Sequence, residues 1–245
     1  MKRLCSLKFA KNRCLRWTSV LLGGLTTFGV TKHFLKKRSL AREHLNRNHF
    51  NFGSFMIPHP EKAYKGGEDA CYADTRCLVV ADGVGGWAEV GIDPALYSKQ
   101  LVKNISELFN SNVFKYLFQP KKLINDAYEQ QTKKGSSTIV VTMLNDIYPF
   151  LHTSLMGDSQ YIILRKKGEE LETVFQSESH QRRFNFPYQL GIGGGMFGHK
   201  PDVTVKGKHY IQHDDILVLA PDGVVDNLYL KEIKEIVLKN MRTGA

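Results

Sequence analysis

The chain has little cysteine, no long hydrophobic run and no acidic residue near its start, and each absence excludes a class of protein. Its four cysteines, Cys5, Cys14, Cys71 and Cys77, form no CxxC pair, so we expect neither a disulfide framework nor a cysteine zinc site. The uncharged stretch 17–30 has 14 residues, fewer than the roughly 20 that a membrane-spanning helix needs. With 42% hydrophobic and 24% charged residues, the chain is neither disordered nor collagenous, and it is not a polytopic membrane protein.

The absence of acidic residues from the start of the chain explains why the protein has a positive net charge. Residues 1–42 contain 11 Lys and Arg and no Asp or Glu, and the first acid is Glu43. Residues 43–245 hold 23 basic and 24 acidic residues, so the net charge of +10 belongs to the leader. A nucleic-acid-binding domain carries its basic patch on the folded domain. The sequence therefore predicts no nucleic-acid partner.

The basic start is typical of a targeting segment. Residues 1–35 combine a stretch that can form an amphipathic cationic helix with the uncharged segment, the pattern of a mitochondrial presequence. There are two alternatives: residues 17–30 form a weak membrane anchor, or the leader is a secretory signal. Residues 36–51 are predicted to be a polar linker, and the folded domain is predicted over 52–245.

Hydrophobic periodicity predicts a domain in which strands outnumber helices. The pattern predicts strands over 77–83, 137–144, 150–156, 161–165, 171–175, 202–212 and 215–220, and helices over 94–118, 120–131 and 228–240. Because strand and helix do not alternate regularly, this order indicates an α+β fold with largely antiparallel sheets and helices on their outer faces. The glycine-rich run 191–198 is a weak candidate for phosphate binding, and a mobile loop is the better interpretation.

Carboxylates recur at the ends of the predicted strands. Asp82, Asp158 and Asp222 each follow an apolar run and precede Gly or Ser, and Glu68 and Asp69 follow a pair of glycines. Any one of them alone is typical of a turn. If the strand ends converge, the like charges need compensation, which Mg²⁺ or Mn²⁺ supplies through its preference for oxygen ligands. Spacing alone does not decide between ordinary turns and a metal site.

Six motifs resemble those of a known enzyme family. They are GGEDACY…CLVVADGVGGW (66–87), GIDPALYS (91–98), GSST (135–138), MGDSQYIILR (156–165), HQRRFNFPYQLG (180–191) and DDILVLAPDGVVDN (214–227). In this order they resemble the metal-dependent protein phosphatases of the 2C class (PP2C), and in particular their mitochondrial PTC7-like branch. The resemblance covers residues 52–240.

The resemblance implies a four-layer α-β-β-α sandwich that holds two Mn²⁺ or Mg²⁺ ions, and a third, weaker ion, at one end. The positions that match metal ligands of the family are Asp82, Gly83, Asp222, Glu68, Asp69, Asp158 and Asp226. Asp82 would bridge the two ions, and the carbonyl of Gly83 would bind one of them. Asp222 would bind the first ion, and Glu68 and Asp69 would bind the second, largely through water. Asp158 and Asp226 match the third position.

The implied activity is hydrolysis of phosphoserine and phosphothreonine in proteins by a metal-activated water, without a side chain as nucleophile. The implied substrates are phosphorylated mitochondrial proteins. We expect a monomer in the matrix or at the inner membrane, with residues 17–30 as its membrane contact. Lys65, just before the GGED motif, is a candidate ligand for substrate phosphate, with a solvated lysine as the alternative.

The sequence departs from the family pattern at two places, and the second of them motivates an alternative function. Val84 stands where many relatives have a histidine that is proposed to protonate the leaving group. The family continues past the helix predicted at 228–240 to a strand with another metal-binding Asp, so we expect a sheet that lacks its C-terminal strand and one ligand. The alternative is therefore a catalytically impaired, phosphatase-like binding module.

Overall fold

The protein's computed structural model describes residues 8–9, 48–183, 186–192 and 198–242. Its strands are β1 (Lys8–Phe9), β2 (Phe50–Asn51), β3 (Asp69–Ala73), β4 (Cys77–Asp82), β5 (Gly135–Ser137), β6 (Ile139–Leu144), β7 (Phe150–Met156), β8 (Gln160–Lys167), β9 (Glu170–Gln176), β10 (Gln181–Arg183), β11 (Phe186–Pro187), β12 (Leu190–Ile192), β13 (Val205–Tyr210) and β14 (Ile216–Ala220). Its helices are α1 (Pro94–Ser111), α2 (Val113–Tyr116), α3 (Pro120–Glu129), α4 (Asp222–Val225) and α5 (Leu230–Arg242). Short 3₁₀ helices cover Pro60–Lys65, Gly85–Val90 and Pro201–Val203.

Two antiparallel sheets form the centre of the fold. The larger sheet has five strands in the order β13-β7-β6-β4-β3, and the smaller has three in the order β14-β8-β9. Each neighbouring pair within them is antiparallel, and β5 pairs with β12 in a separate short ladder. In the described part of the chain, β3 and β13 are therefore the two edges of the larger sheet.

Three apolar clusters hold four layers together. Between the sheets, Val140 and Leu155 of the larger sheet pack in one cluster with Ile163 and Leu217 of the smaller. Helices α1 and α3 cover the other face of the larger sheet, and α5 covers the other face of the smaller sheet. The order helix, sheet, sheet, helix confirms the predicted α-β-β-α sandwich.

Helix α1 illustrates how local signals in the sequence set an element beside the site. Pro94 occupies its first turn, and the Asp93 carboxylate accepts a hydrogen bond from the N–H of Ala95 at 3.1 Å, which satisfies a donor that the helix leaves free. One turn apart, Leu101 and Ile105 are fully buried against the larger sheet. The cap and the apolar stripe together fix where α1 starts and which face it buries.

Two elements that periodicity predicts as continuous are each divided in the structure. The helix predicted over 94–118 ends at Ser111, because the Asn112 side chain accepts a hydrogen bond from the N–H of Lys115 at 3.0 Å and so starts a separate helix, α2. The strand predicted over 137–144 is two strands, because β5 pairs with β12 whereas β6 pairs with β4 and β7.

Several predicted segments lie outside the described residues. These are nearly all of the leader, including 17–30, and residues 193–197 of the loop predicted at 191–198. The short strand β1 pairs with β2, and Phe50 is buried in the cluster between the sheets, just before the predicted domain start at residue 52. Over the ranges that the structure describes, no helix has the length and apolar character to cross a membrane.

Candidate metal centre

Asp82 and Asp69 lie side by side at one end of the larger sheet. Strand β4 is an apolar run that ends at Asp82, strand β3 begins at Asp69, and the antiparallel register makes the two residues direct partners. Asp222 begins α4 just after β14 of the smaller sheet, and Asp158 follows the end of β7. Strand ends of both sheets thus carry acids, and Asp69 and Asp82 are direct neighbours.

The Asp82 carboxyl is in hydrogen-bonding contact with two other carboxyls. Burial raises its pKa well above the ordinary value, and the charges of Asp69 and Asp222 raise it further. Burial is also the main cause of the raised pKa of Asp69, with the charges of Asp222 and Glu68 adding to it. Three carboxyls in contact cannot all ionise without a proton or a cation between them. Their arrangement therefore favours binding of positive charge.

Asp158 and Asp226 extend this cluster on the side of Asp222. Burial, followed by the charge of Asp222, raises the pKa of Asp158 to about 6. The same two causes in the same order raise the pKa of Asp226. The two residues that match a third, weaker ion are therefore within electrostatic range of Asp222.

Glu68 and Lys65 are engaged with other partners than those expected from the sequence. The Glu68 carboxylate is buried and forms ion pairs with Lys62 and, at 3.0 Å, with Lys65. The Lys65 ammonium also donates to Asp93 at 2.8 Å, and hydrogen bonds to Asp93 and then to Glu68 raise the pKa of Lys65. Glu68 therefore neutralises lysines here, and Lys65 is held between two carboxylates.

Gly83 places the backbone that follows Asp82 tightly against helix α1. Its N–H donates to the carbonyl of Glu68 at 3.1 Å, and the hydroxyl of Ser98 in α1 donates to the same carbonyl at 2.5 Å. A Cβ atom at Gly83 would lie 2.7 Å from the carbonyl oxygen of Pro94, closer than real contacts allow. Only glycine therefore fits this position, and Gly83, Glu68 and the start of α1 are held as one unit.

Thr138 is a supporting residue whose contacts the sequence pattern does not specify. Its hydroxyl bonds with the Ser159 hydroxyl at 2.7 Å and accepts a hydrogen bond from the N–H of Asp82 at 3.3 Å. Its own N–H donates to the carbonyl of Asp82 at 2.9 Å. Thr138 therefore ties Asp82 to the turn that carries Asp158. The only sequence signal was the hydroxyl-rich motif at 135–138, which suggests nothing about partners.

Ser136, Trp87 and His180 hold the loops around the cluster. The indole N–H of Trp87 donates to the Ser136 hydroxyl at 2.5 Å, and Ser136 in turn bonds with Gln189. The His180 backbone N–H donates to the carbonyl of Gly157 at 2.8 Å, and its ring stacks on another aromatic ring. Burial lowers the pKa of His180. Through these contacts, the three residues hold the loops in place.

The donor set fits a hard cation, although the side chains do not form a closed cage. Across the described ranges, no group of three or more His, Cys, Asp or Glu converges as a ready ligand set. The Asp82 carboxyl nevertheless contacts the carboxyls of Asp69 and Asp222. Oxygen-only ligands suit Mg²⁺ or Mn²⁺.

Comparison with known proteins identifies relatives of this chain. No sequence model of a protein family matches the chain. It is 38% identical over 197 residues to the probable protein phosphatase 2C 80 of Arabidopsis thaliana, covering 78% of this chain and 45% of that protein. It is 31% identical over 194 residues to the protein phosphatase PTC7 homolog of Xenopus laevis, covering 69% of this chain and 63% of that protein. The chain thus spans about half the length of the curated relatives it matches.

Solved structures agree with these relatives. The photosystem II phosphatase PBCP is 30% identical and superposes with a TM-score of 0.68, covering 75% of this chain and 70% of its own. The catalytic domain of the serine threonine protein phosphatase PstP, in complex with 2 manganese ions, shares the fold at 18% identity and a TM-score of 0.51, covering 71% of this chain and 82% of its own. From the fold, the acid cluster and these relatives, we conclude that the chain belongs to the metal-dependent protein phosphatase 2C family.

Proposed function

We propose that the protein is a Mn²⁺- or Mg²⁺-dependent protein phosphatase that hydrolyses phosphoserine and phosphothreonine. The observation that carries the proposal is the contact of Asp82 with Asp69 and Asp222, because it brings carboxylates from both sheets to one point. The names of the curated relatives, which are protein phosphatases, support the reaction class.

Two ions would be held by Asp82, Asp69, Asp222 and the carbonyl of Gly83, with Glu68 joining the second. Asp158 and Asp226 would hold a third, weaker ion. When bound, such ions activate a water for attack on phosphorus and neutralise charge on the phosphoryl oxygens. This chemistry explains how a site of acids can accept an anionic substrate.

The chain's own residues would orient the ligands and bind the substrate. Ser98 and Thr138 fix the backbone around Glu68 and Asp82 by hydrogen bonds, which limits the movement of both carboxylates. Once Glu68 turns to a cation, Lys65 loses one of its two carboxylate partners. Its ammonium group, still paired with Asp93, then has donors available for substrate phosphate.

The substrates are proposed to be phosphorylated mitochondrial proteins, in the matrix or at the inner membrane. The acid-free, basic residues 1–42 support this location, and the PTC7 homolog among the relatives supports the branch of the family. We also propose a monomer, with residues 17–30 as its membrane contact and no nucleic-acid partner.

The test is hydrolysis of a phosphothreonine peptide by the full chain with Mn²⁺ and with Mg²⁺. We expect Asp82→Asn to lower kcat roughly 100-fold, because it removes a charge that binds the ions. Asp214→Asn is the matched control, since Asp214 is exposed and has a positive φ of 65° that asparagine also tolerates. Equal hydrolysis by wild type and Asp82→Asn, or metal binding by wild type without hydrolysis, would overturn the proposal.

A further inference from the structure

A cavity of about 420 Å³ opens at the side of the larger sheet, between helix α3 and strands β7 and β13. Its walls include Phe118, Lys121, Lys122, His152 and Lys206. The volume lies in the range of pockets that bind small ligands. The cavity is thus large enough for a molecule of nucleotide size.

This cavity is distinct from the acid cluster. Strand β13 is the edge of the larger sheet opposite β3, which carries Asp69. His152 lies near the start of β7, and Asp158 follows the end of that strand. From His152 to Met156 the strand alone extends roughly 14 Å at 3.4 Å per residue. A ligand in the cavity would therefore not occupy the metal centre.

The charge lining the cavity is predominantly positive. It has three lysines and one acid, Asp126. Asp126 already accepts from the Lys115 ammonium at 2.8 Å and from the Tyr116 hydroxyl at 3.0 Å. Although burial opposes it, these hydrogen bonds keep the pKa of Asp126 below its ordinary value. Lys115 and Tyr116, which do not line the cavity, therefore compensate much of this acid's charge, and the lining keeps an excess of positive charge.

Lys206 is the least engaged of the three lysines. Lys121 donates to the carbonyl of Asp202, and Lys122 lies 3.5 Å from Asp126. Lys206 is exposed on β13 and forms no ion pair within the residues that the structure describes. Its ammonium is consequently the one most available to a ligand.

Aromatic rings line the same cavity. Phe118 adopts a positive φ of 61°, a conformation that bulky side chains rarely adopt and that glycine usually fills after a helix. Its ring lies 5.3 Å from the His152 ring, centroid to centroid. Burial, followed by the charge of Lys208, lowers the pKa of His152, which favours the uncharged imidazole. Two uncharged rings thus face the space that the lysines surround.

From this combination we propose that the cavity binds a small anionic ligand in which phosphate groups are joined to a planar ring, the chemistry of a nucleotide. The lysines would bind the phosphates, and Phe118 with His152 would contact the ring. The amide side chains of Gln119 and Asn125, which also line the cavity, offer hydrogen bonds to ring nitrogens and carbonyls.

Calorimetric titration of the full chain in EDTA tests this proposal, because EDTA removes ions that could hold phosphate at the acid cluster. The ligands are ADP, pyrophosphate and adenosine. We expect ADP to bind more tightly than pyrophosphate, and pyrophosphate more tightly than adenosine. No binding of ADP, or equal affinity for ADP and pyrophosphate, would overturn the nucleotide class.

Two variants locate the site. Lys206→Glu is expected to weaken ADP binding roughly tenfold, because it replaces a charge-assisted contact with repulsion. Phe118→Gly is expected to weaken ADP binding while bringing its affinity close to that for pyrophosphate, and glycine suits the positive φ, so the fold persists. Lys133→Glu, an exposed lysine outside the cavity, is the matched control. If this control weakens ADP as much as Lys206→Glu, or if neither cavity variant weakens it, the proposal fails.

Discussion

At the scale of single residues, one buried ion pair has a defined energetic role. Asp215, just before β14, is 1% exposed, and its two carboxylate oxygens accept hydrogen bonds of 2.7 Å from the guanidinium of Arg165 on β8. The N–H of Gln212 also donates to this carboxylate at 2.7 Å. Removing the arginine would leave a buried charge with one donor.

We therefore predict that Arg165→Met lowers the free energy of unfolding by about 3 kcal/mol, as breaking a buried pair usually does. Lys167→Met removes an exposed pair with Glu172 at 3.6 Å on the same strand, and should cost less than about 0.5 kcal/mol. Urea denaturation of both variants measures the difference. Similar losses in the two variants would contradict the role assigned to Asp215.

The residues of the site differ in how far sequence could predict them. Asp82, Asp158 and Asp222 were visible because each follows an apolar strand and precedes a small residue. The pairing of Lys65 with Asp93 was not visible, because the two are 28 positions apart and meet only after α1 packs against the sheet. Local pattern thus predicts where acids emerge, whereas the partners of charged side chains depend on tertiary contacts.

At the scale of elements, the turn between β7 and β8 depends on a glycine. Gly157 has a φ of 105°, and a Cβ atom there would lie 2.5 Å from the Cγ2 atom of Thr138. Gly168, in the turn between β8 and β9, has a φ of 62° with nothing within 4 Å of such an atom. The two turns thus share the backbone restriction but differ in packing.

Gly157→Ala should therefore destabilise the fold by about 3 kcal/mol, through strain and overpacking together, and Gly168→Ala by about 1 kcal/mol, through strain alone. Chemical denaturation gives both values. Since Gly157 precedes Asp158 and faces Thr138, its substitution should also weaken Mn²⁺ binding, which the Gly168 variant should leave unchanged. Equal destabilisation by the two alanines would show that packing at Gly157 is irrelevant.

The start of helix α1 should respond to pH. The Lys65 hydrogen bond lowers the pKa of Asp93 most, burial opposes it, and the N–H of Ala95 adds to the lowering. Because the folded pKa lies below the unfolded one, the carboxylate stabilises the fold above the unfolded pKa near ~3.9 and loses this effect as pH falls through the folded pKa.

Asp93→Ala should thus cost about 1 kcal/mol at pH 7, and the difference from wild type should shrink below about pH 4. Asp93→Asn, which keeps a capping oxygen without the charge, should fall between the two. Urea midpoints at pH 7, 5 and 3 provide the measurement. A difference that stays constant down to pH 3 would exclude the charged cap.

Elements were predictable where one face is apolar and long enough. Periodicity located α1 through Leu101 and Ile105, and β6 and β7 through their buried residues. It missed β3, since this edge strand of five residues alternates buried and exposed positions only in part. The break at Asn112 was equally invisible, because a side-chain hydrogen bond to the backbone leaves no periodic signal.

At the scale of the whole molecule, the acid cluster joins the two sheets. Asp69 and Asp82 belong to the larger sheet, whereas Asp222 follows the last strand of the smaller. An ion bound by all three would cross-link the sandwich. Ligands that bind only the folded state stabilise it by mass action.

We predict that Mn²⁺ at about 100 times its Kd raises Tm by roughly 5–10 °C, from about 2.7 kcal/mol of stabilisation in a domain of this size. EDTA should reverse the shift, and Asp222→Asn should diminish it, whereas the exposed Asp214→Asn should retain it. Differential scanning calorimetry with and without EDTA measures these shifts. A Tm that does not change with Mn²⁺ would contradict the cross-link.

The outermost strand β13 has one more consequence, for solubility. Among the described strands none pairs with its outer side, and N–H and C=O groups on such an edge are where a neighbouring molecule could add a strand of its own, the first step toward fibrillar aggregation. Lys206 and Lys208 alternate along this strand and are exposed, so two molecules approaching edge to edge would bring like charges together. These lysines therefore oppose aggregation of concentrated protein through pairing of β13 strands from two molecules.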